Sequence, residues 1–165
     1  MDGWYAPSAP SIEQAIIQRH NKSSPLAIQM SGNITGDQGF LDAWIWWAHE
    51  YTGDTANLKY YFAIAENDLY AGSRHYDYTM REILPTAQGV PLEYGGQGSS
   101  DLFHVDFDLD PVWKLDDLVA YFWIQDTTND QEGRKEVVQA GRVDVGDWES
   151  AVVETSWGQI KALDF

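Results

Sequence analysis

The chain predicts an all-β fold: an antiparallel β-sandwich, jelly-roll or immunoglobulin-like, with a short helix near its N-terminus. Three observations carry that expectation. The run Leu118 to Asp126, Leu-Val-Ala-Tyr-Phe-Trp-Ile-Gln-Asp, is rich in aromatic and β-branched residues and ends in a polar turn, Thr127 to Gly133. Asp101 to Asp110 alternates apolar and polar residues, as a half-buried antiparallel strand does. Several further apolar runs are separated by turn signals, and no long helical period interrupts them. The spacing predicts about seven to nine strands in two sheets.

Met1 to Pro10 is loop-like, with one Gly, two Pro and no periodicity. Ser11 is placed as a helix N-cap with Gln14 as its reciprocal partner, and Ile12, Ala15 and Ile16 share one side of a short helix ending near His20. Lys22 to Pro25 reads as a linker. Leu26 to Ser31 is a weakly alternating strand. Gly39 to Glu50 is a long one, with Trp44, Trp46 and Ala48 on one face and Ala43, Ile45, Trp47 and His49 on the other. After the turn Thr52-Gly53-Asp54-Thr55 comes the strand Leu58 to Glu66. Asn67 to Pro85 is a long excursion holding a short strand at most, and Tyr94 to Ser100 is a Gly-rich loop. In Asp101 to Asp110, Phe103, Val105, Phe107 and Leu109 point one way and His104, Asp106, Asp108 and Asp110 the other. The run Val137 to Val145 completes a hairpin with Leu118 to Asp126. Gly146 to Phe165 has no clean period. The expected division is an N-terminal piece, 1–24, a β-sandwich domain, 25–146, and a C-terminal tail or linker, 147–165.

A chain of 165 residues is one domain by length and can hide roughly two thirds of its unfolded surface. Its net charge of -16 argues against nucleic acid, because phosphate binding needs clustered Lys and Arg. The absence of cysteine excludes disulfides, thiol catalysis and zinc–thiolate sites on this chain. No apolar run approaches the ~20 residues of a membrane helix.

Candidate chemistry is sparse. His49, His75 and His104 carry no standard metal-ligand spacing, and isolated surface histidines are the simpler reading. Asp106, Asp108 and Asp110 line one strand face, but residues two apart on a strand sit ~7 Å from each other, too far to share one ion. If a metal is bound, Ca²⁺ in the loop carrying Asp126, Asn129, Asp130 and Glu132 is expected, since a loop can curl oxygen ligands inward. Melting with and without a chelator tests that; a solvated acidic turn is the plainer alternative. No Ser-His-Asp order, phosphate loop or catalytic carboxylate pair stands out.

Three segments in order, Phe62-Ala63-Ile64-Ala65-Glu66, Met80-Arg81-Glu82-Ile83-Leu84-Pro85, and Leu118 to Asp126 followed by Lys135-Glu136-Val137-Val138-Gln139-Ala140, resemble the C-terminal domain of the twenty-eight-kilodalton outer membrane protein family. These are secreted bacterial proteins in which that domain follows a thioredoxin-like domain. The resemblance covers roughly Pro25 to Val145. It implies that Asp2-Gly3 and the helix after it are the last elements of an upstream domain. Ser156 to Leu163 resembles, more weakly, a joining segment before C-terminal sorting regions. Glu66 and Arg81 match fixed positions of the family and lie in apolar or aromatic settings, so a partly buried ion pair tying the excursion to its strand is expected. The family often places adjacent histidines just before this arginine; here Asp77 and Tyr78 stand there, which weakens any metal site at that place.

Three function classes follow. The first is a non-catalytic binding or assembly module of a secreted or cell-surface bacterial protein, a subunit of an extracellular oligomer or filament, with protein partners or further copies of itself. The second is a carbohydrate-binding module, since exposed Trp and Tyr stack on sugar rings. The third is a copper monooxygenase-like domain. An aromatic surplus favours the first: Trp44, Trp46, Tyr61, Tyr121, Trp123 and Trp157 are the expected interface aromatics, because a two-layer sandwich buries one face of each sheet and large apolar patches are rare on free monomers.

Overall fold

The computed structural model describes residues 24–128 and 135–145. They form ten strands: β1 (Leu26–Thr35), β2 (Gln38–Trp47), β3 (Leu58–Glu66), β4 (Leu69–Ala71), β5 (Arg74–Tyr76), β6 (Thr79–Leu84), β7 (Val90–Pro91), β8 (Ser100–Asp108), β9 (Leu118–Asp126) and β10 (Glu136–Asp144). All pairings are antiparallel. One sheet has the order β1-β2-β8; the second runs β10-β9-β3-β6, with β7 also on β3; β4 and β5 pair only with each other. The two larger sheets pack face to face, so the all-β, sandwich-like expectation holds.

The alternation written in the sequence decides which side of each strand is buried. On the three-stranded sheet, Ile28, Met30, Leu41, Ala43, Ile45 and Trp47 point inward and are buried. Leu58, Phe62, Ile64, Ala120, Phe122 and Ile124 face them from the second sheet. Each such side chain contributes about 1.5–3 kcal/mol when fully removed from water. Aromatic rings bridge the layers: Phe103 of β8 lies 4.3 Å from Tyr60 of β3 and 5.6 Å from Phe122 of β9, ring centre to ring centre.

The layers also close along one edge, where β1 meets β10. A bulge between Val137 and Gln139 shifts the β9–β10 register and turns the Gln139 side chain inward, where its amide donates to the Leu26 carbonyl at 3.3 Å. Gly141 permits this approach: a Cβ there would stand 3.1 Å from Ile28 Cγ2 and 3.3 Å from Met30 Sδ.

The excursion and the extent of β1 need correction. Among the described residues the two packed sheets hold eight strands, as expected, but the separate β4–β5 pair was not foreseen, and Asn67–Pro85 is not an excursion with one short strand at most: it holds β4, β5 and β6. Three-residue strands are too short to show a period, and β6 reads as mixed because its pairing with β3 slips between Ile64 and Ala65. β1 also runs on to Thr35 because Gly36, at φ 68°, lets a two-residue turn lead straight into β2. The expected helix from Ser11 to His20, the N-terminal piece and the C-terminal tail lie outside the described residues.

Candidate functional site

The outward face of the three-stranded sheet is a grid fixed by register. Its cross-strand rows are Ala27–Trp46–Ser100, Gln29–Trp44–Leu102, Ser31–Asp42–His104, Asn33–Phe40–Asp106 and Thr35–Gln38–Asp108. The first two rows make an apolar end: Trp44 is 55% exposed, Trp46 53% and Leu102 64%. The remaining rows make a polar, acidic end. There His104 lies between two carboxylates, with Nδ1 2.7 Å from Asp42 Oδ1 and Nε2 3.2 Å from Asp106 Oδ1, and its ring lies 5.6 Å from that of Phe40. These large apolar side chains adjoin in the register without being buried by the fold of the described residues.

The Asp42 carboxylate holds the His104 imidazole above its ordinary value; burial opposes it, and Asp106 adds to the rise. A group whose pKa is raised by folding contributes its stability below the unfolded value, and that contribution is lost as pH rises through the folded value. An NMR titration of His104 is therefore expected to give a pKa above ~6.5, and D42N should bring it down. A His104 titration that D42N leaves unchanged would remove Asp42 as the cause.

Glu66 and Arg81 are brought together. Arg81 donates from Nη2 and Nε to Glu66 Oε2 at 2.7 and 2.8 Å, while the Lys114 backbone N–H donates to Oε1 at 3.2 Å. The Glu66 side chain is 0% exposed and that of Arg81 25%. The pair sits at the base of an arm made by β4 and β5. Asp68 and Tyr78, at φ 53° and 52°, turn the chain into and out of the arm, and the Asn67 side-chain oxygen accepts from the Tyr78 N–H at 2.9 Å. The arm and its exit display Tyr70, Tyr76, Tyr78 and Met80, none of which the sequence reading selected. Its His75 places Nε2 3.0 Å from Asp68 Oδ1 and 3.3 Å from Asp77 Oδ1 and stacks on Tyr70.

The three histidines are not brought to one place: His49 follows β2, His75 is on the arm and His104 is on the outer grid. Among the described residues no group of three or more His, Cys, Asp and Glu is arranged to hold a metal ion. Of the calcium candidates, Asp126 ends β9 and is nearly buried. Burial pushes its carboxyl up, but hydrogen bonds from the Tyr51 hydroxyl at 2.7 Å and the Thr128 N–H at 2.8 Å outweigh this and hold it below its ordinary value. Asn129, Asp130 and Glu132 lie outside the described residues.

The expected interface aromatics divide between two faces. Trp44 and Trp46 are on the three-stranded sheet. Tyr61, Tyr121 and Trp123 are on the outward face of the other one, where Trp123 stacks on Tyr61 with ring centres 4.8 Å apart and planes 4° from parallel. Tyr61 is buried, and Tyr121 and Trp123 are half-buried. Trp157 lies outside the described residues, as do Trp4 and Trp148. Leu102 was missed because only the β2–β8 register sets it beside Trp44.

No protein-family model matches the chain, and no curated protein matches it. Among solved structures, HBP35 of Porphyromonas gingivalis is similar: the TM-score is 0.67 at 16% sequence identity, over 88% of this chain and 49% of that one. The chain thus spans about half the length of HBP35, and at this identity what the likeness shows is a shared fold.

Proposed function

We propose that the chain is a non-catalytic binding or assembly module of a secreted or cell-surface bacterial protein, and that the outward face of the three-stranded sheet is its docking surface. The observation that carries the reading is the cluster of Trp44, Trp46 and Leu102, each more than half exposed at adjoining register positions. The setting is supported by the family resemblance in the sequence, and the fold of the module by its likeness to HBP35. Among the described residues no helix is long and apolar enough to cross a membrane.

The double variant W44S/W46S is expected to keep the wild-type melting temperature, since exposed substitutions usually change stability by no more than about 0.5 kcal/mol. It should lose docking by at least about tenfold, as truncated interface aromatics do. A photo-crosslinking residue at Gln29, which shares a row with Trp44 and Leu102, is expected to trap a protein partner or another copy in the producing bacterium's secretions. W44S/W46S should abolish that adduct. Adducts indifferent to W44S/W46S, or none at all, would overturn the reading. The same two tryptophans also keep the carbohydrate reading in view, and Trp-dependent binding on a glycan array would replace the first by it.

A further inference from the structure

The sheet that carries the exposed tryptophans is also a surface without Lys or Arg. β1, β2 and β8 contain no Lys and no Arg. The described Lys and Arg residues are Lys59, Arg74, Arg81, Lys114, Lys135 and Arg142, and all belong to the second sheet, the arm or the connecting segments. On the outward grid the only charged side chains besides His104 are Asp42, Asp106 and Asp108. Apart from Phe40, which lies beside His104, apolar and acidic positions are not mixed there. The Trp46 and Trp44 rows occupy one end, and the carboxylates begin at the Asp42 row. Asp42 lies four positions from Trp46 along β2, a span of about 13 Å at the rise of an antiparallel strand.

Resting on the docking reading above, we infer that this face takes a basic–apolar protein segment, one that sets aliphatic or aromatic side chains on Trp44, Trp46 and Leu102 and Lys or Arg side chains beside Asp42, Asp106 and Asp108. The inference stands on charge complementarity. An acidic partner would set its carboxylates against three of this face, Asp42, Asp106 and Asp108, which share the single imidazole of His104 as the sheet's own offset. A neutral one would cover the excess of negative charge that His104 and the Gln38 amide, which donates to Asp108 at 3.2 Å, leave on this face. A cationic side chain finds carboxylates at one end and indole faces at the other, and Trp is the best aromatic partner for Lys or Arg. The field of a chain with net charge -16 also steers cationic segments towards it, an effect that salt weakens.

A phage-displayed library of random peptides, selected on the immobilised wild-type protein and counter-selected on W44S/W46S, tests this. The expected survivors are enriched in Lys and Arg beside apolar residues. Synthetic copies should bind at least tenfold more weakly to D42N/D106N/D108N than to wild type, and raised salt should weaken them on wild type more than on the triple variant. Survivors without basic enrichment, or bound equally by the triple variant, would overturn the basic partner while leaving the docking face intact. No survivor that distinguishes wild type from W44S/W46S would remove both. Self-association of the wild type that W44S/W46S abolishes would make the occupant a second copy and likewise overturn the inference.

Discussion

Replacing Arg81 by Met is expected to destabilise the fold by about 3–5 kcal/mol, the usual cost of removing one partner from a buried ion pair. On a domain of this size that is a fall in melting temperature on the order of 10 °C. The cost arises on the other side of the pair. Glu66 is completely enclosed, and without the guanidinium its carboxylate keeps only the Lys114 N–H. The reverse substitution should be milder. In E66Q, Arg81 can turn its partly exposed head to water, and the glutamine oxygen still accepts from Lys114. The double variant E66M/R81M is expected to recover most of the loss, because a buried pair replaced as a whole by apolar groups of similar volume is often nearly neutral. Thermal melts of the three variants supply the comparison. Hydrogen exchange adds a local readout: amides of the β4–β5 arm should exchange faster in R81M, since Glu66, Asn67, Arg81 and Lys114 together hold its base. An R81M protein within about 1 kcal/mol of wild type would place the pair with ordinary surface ion pairs.

What could be read from the sequence, and what could not, divides by the range of the information. β3 and β9 were legible to the residue, because nine residues of aromatic and β-branched character bounded by turns leave few other readings. The inward side of β2 and β8 was legible too, since a period of two fixes parity within one strand. Pairing is another matter. That Trp123 stacks on Tyr61 follows from β9 lying beside β3, two strands separated by more than fifty residues of chain. That Leu102 joins Trp44 follows from the β2–β8 register. Neither fact has a local signature. The expected interface aromatics therefore read as one set, although the fold puts the described ones on the outward faces of two different sheets. The arm was illegible for a different reason: strands of three residues with exposed side chains bury nothing, so no hydrophobic pattern marks them.

That separation of faces predicts very different stability costs along a single strand. Phe122→Ala is expected to destabilise the protein by about 3–5 kcal/mol, as truncation of a buried Phe does when the cavity cannot collapse. Here the neighbours that would have to move are rings held from both layers. Phe62 is 4.8 Å and Tyr60 6.0 Å away on β3, and Phe103 is 5.6 Å away on β8 of the other sheet. Losing Phe122 therefore loosens the join between sheets as well as one strand. Trp123 is the next residue, but it points outward and is half-buried. Its truncation to Ala removes the stack on Tyr61, worth about 0.5–1.5 kcal/mol beyond the area it covers, and should cost clearly less than F122A. Urea unfolding of the two variants side by side measures the difference. Ala63, Ala65 and Val119 on that same outward face are nevertheless buried, so the comparison has a second edge. If W123A proves as costly as F122A, the outward face of the second sheet is itself a packed core, and the two-layer account gives way to one with a further covering layer. If the costs differ as expected, the tryptophans of the opposite sheet remain the principal apolar surface that stability does not require, and that binding can use.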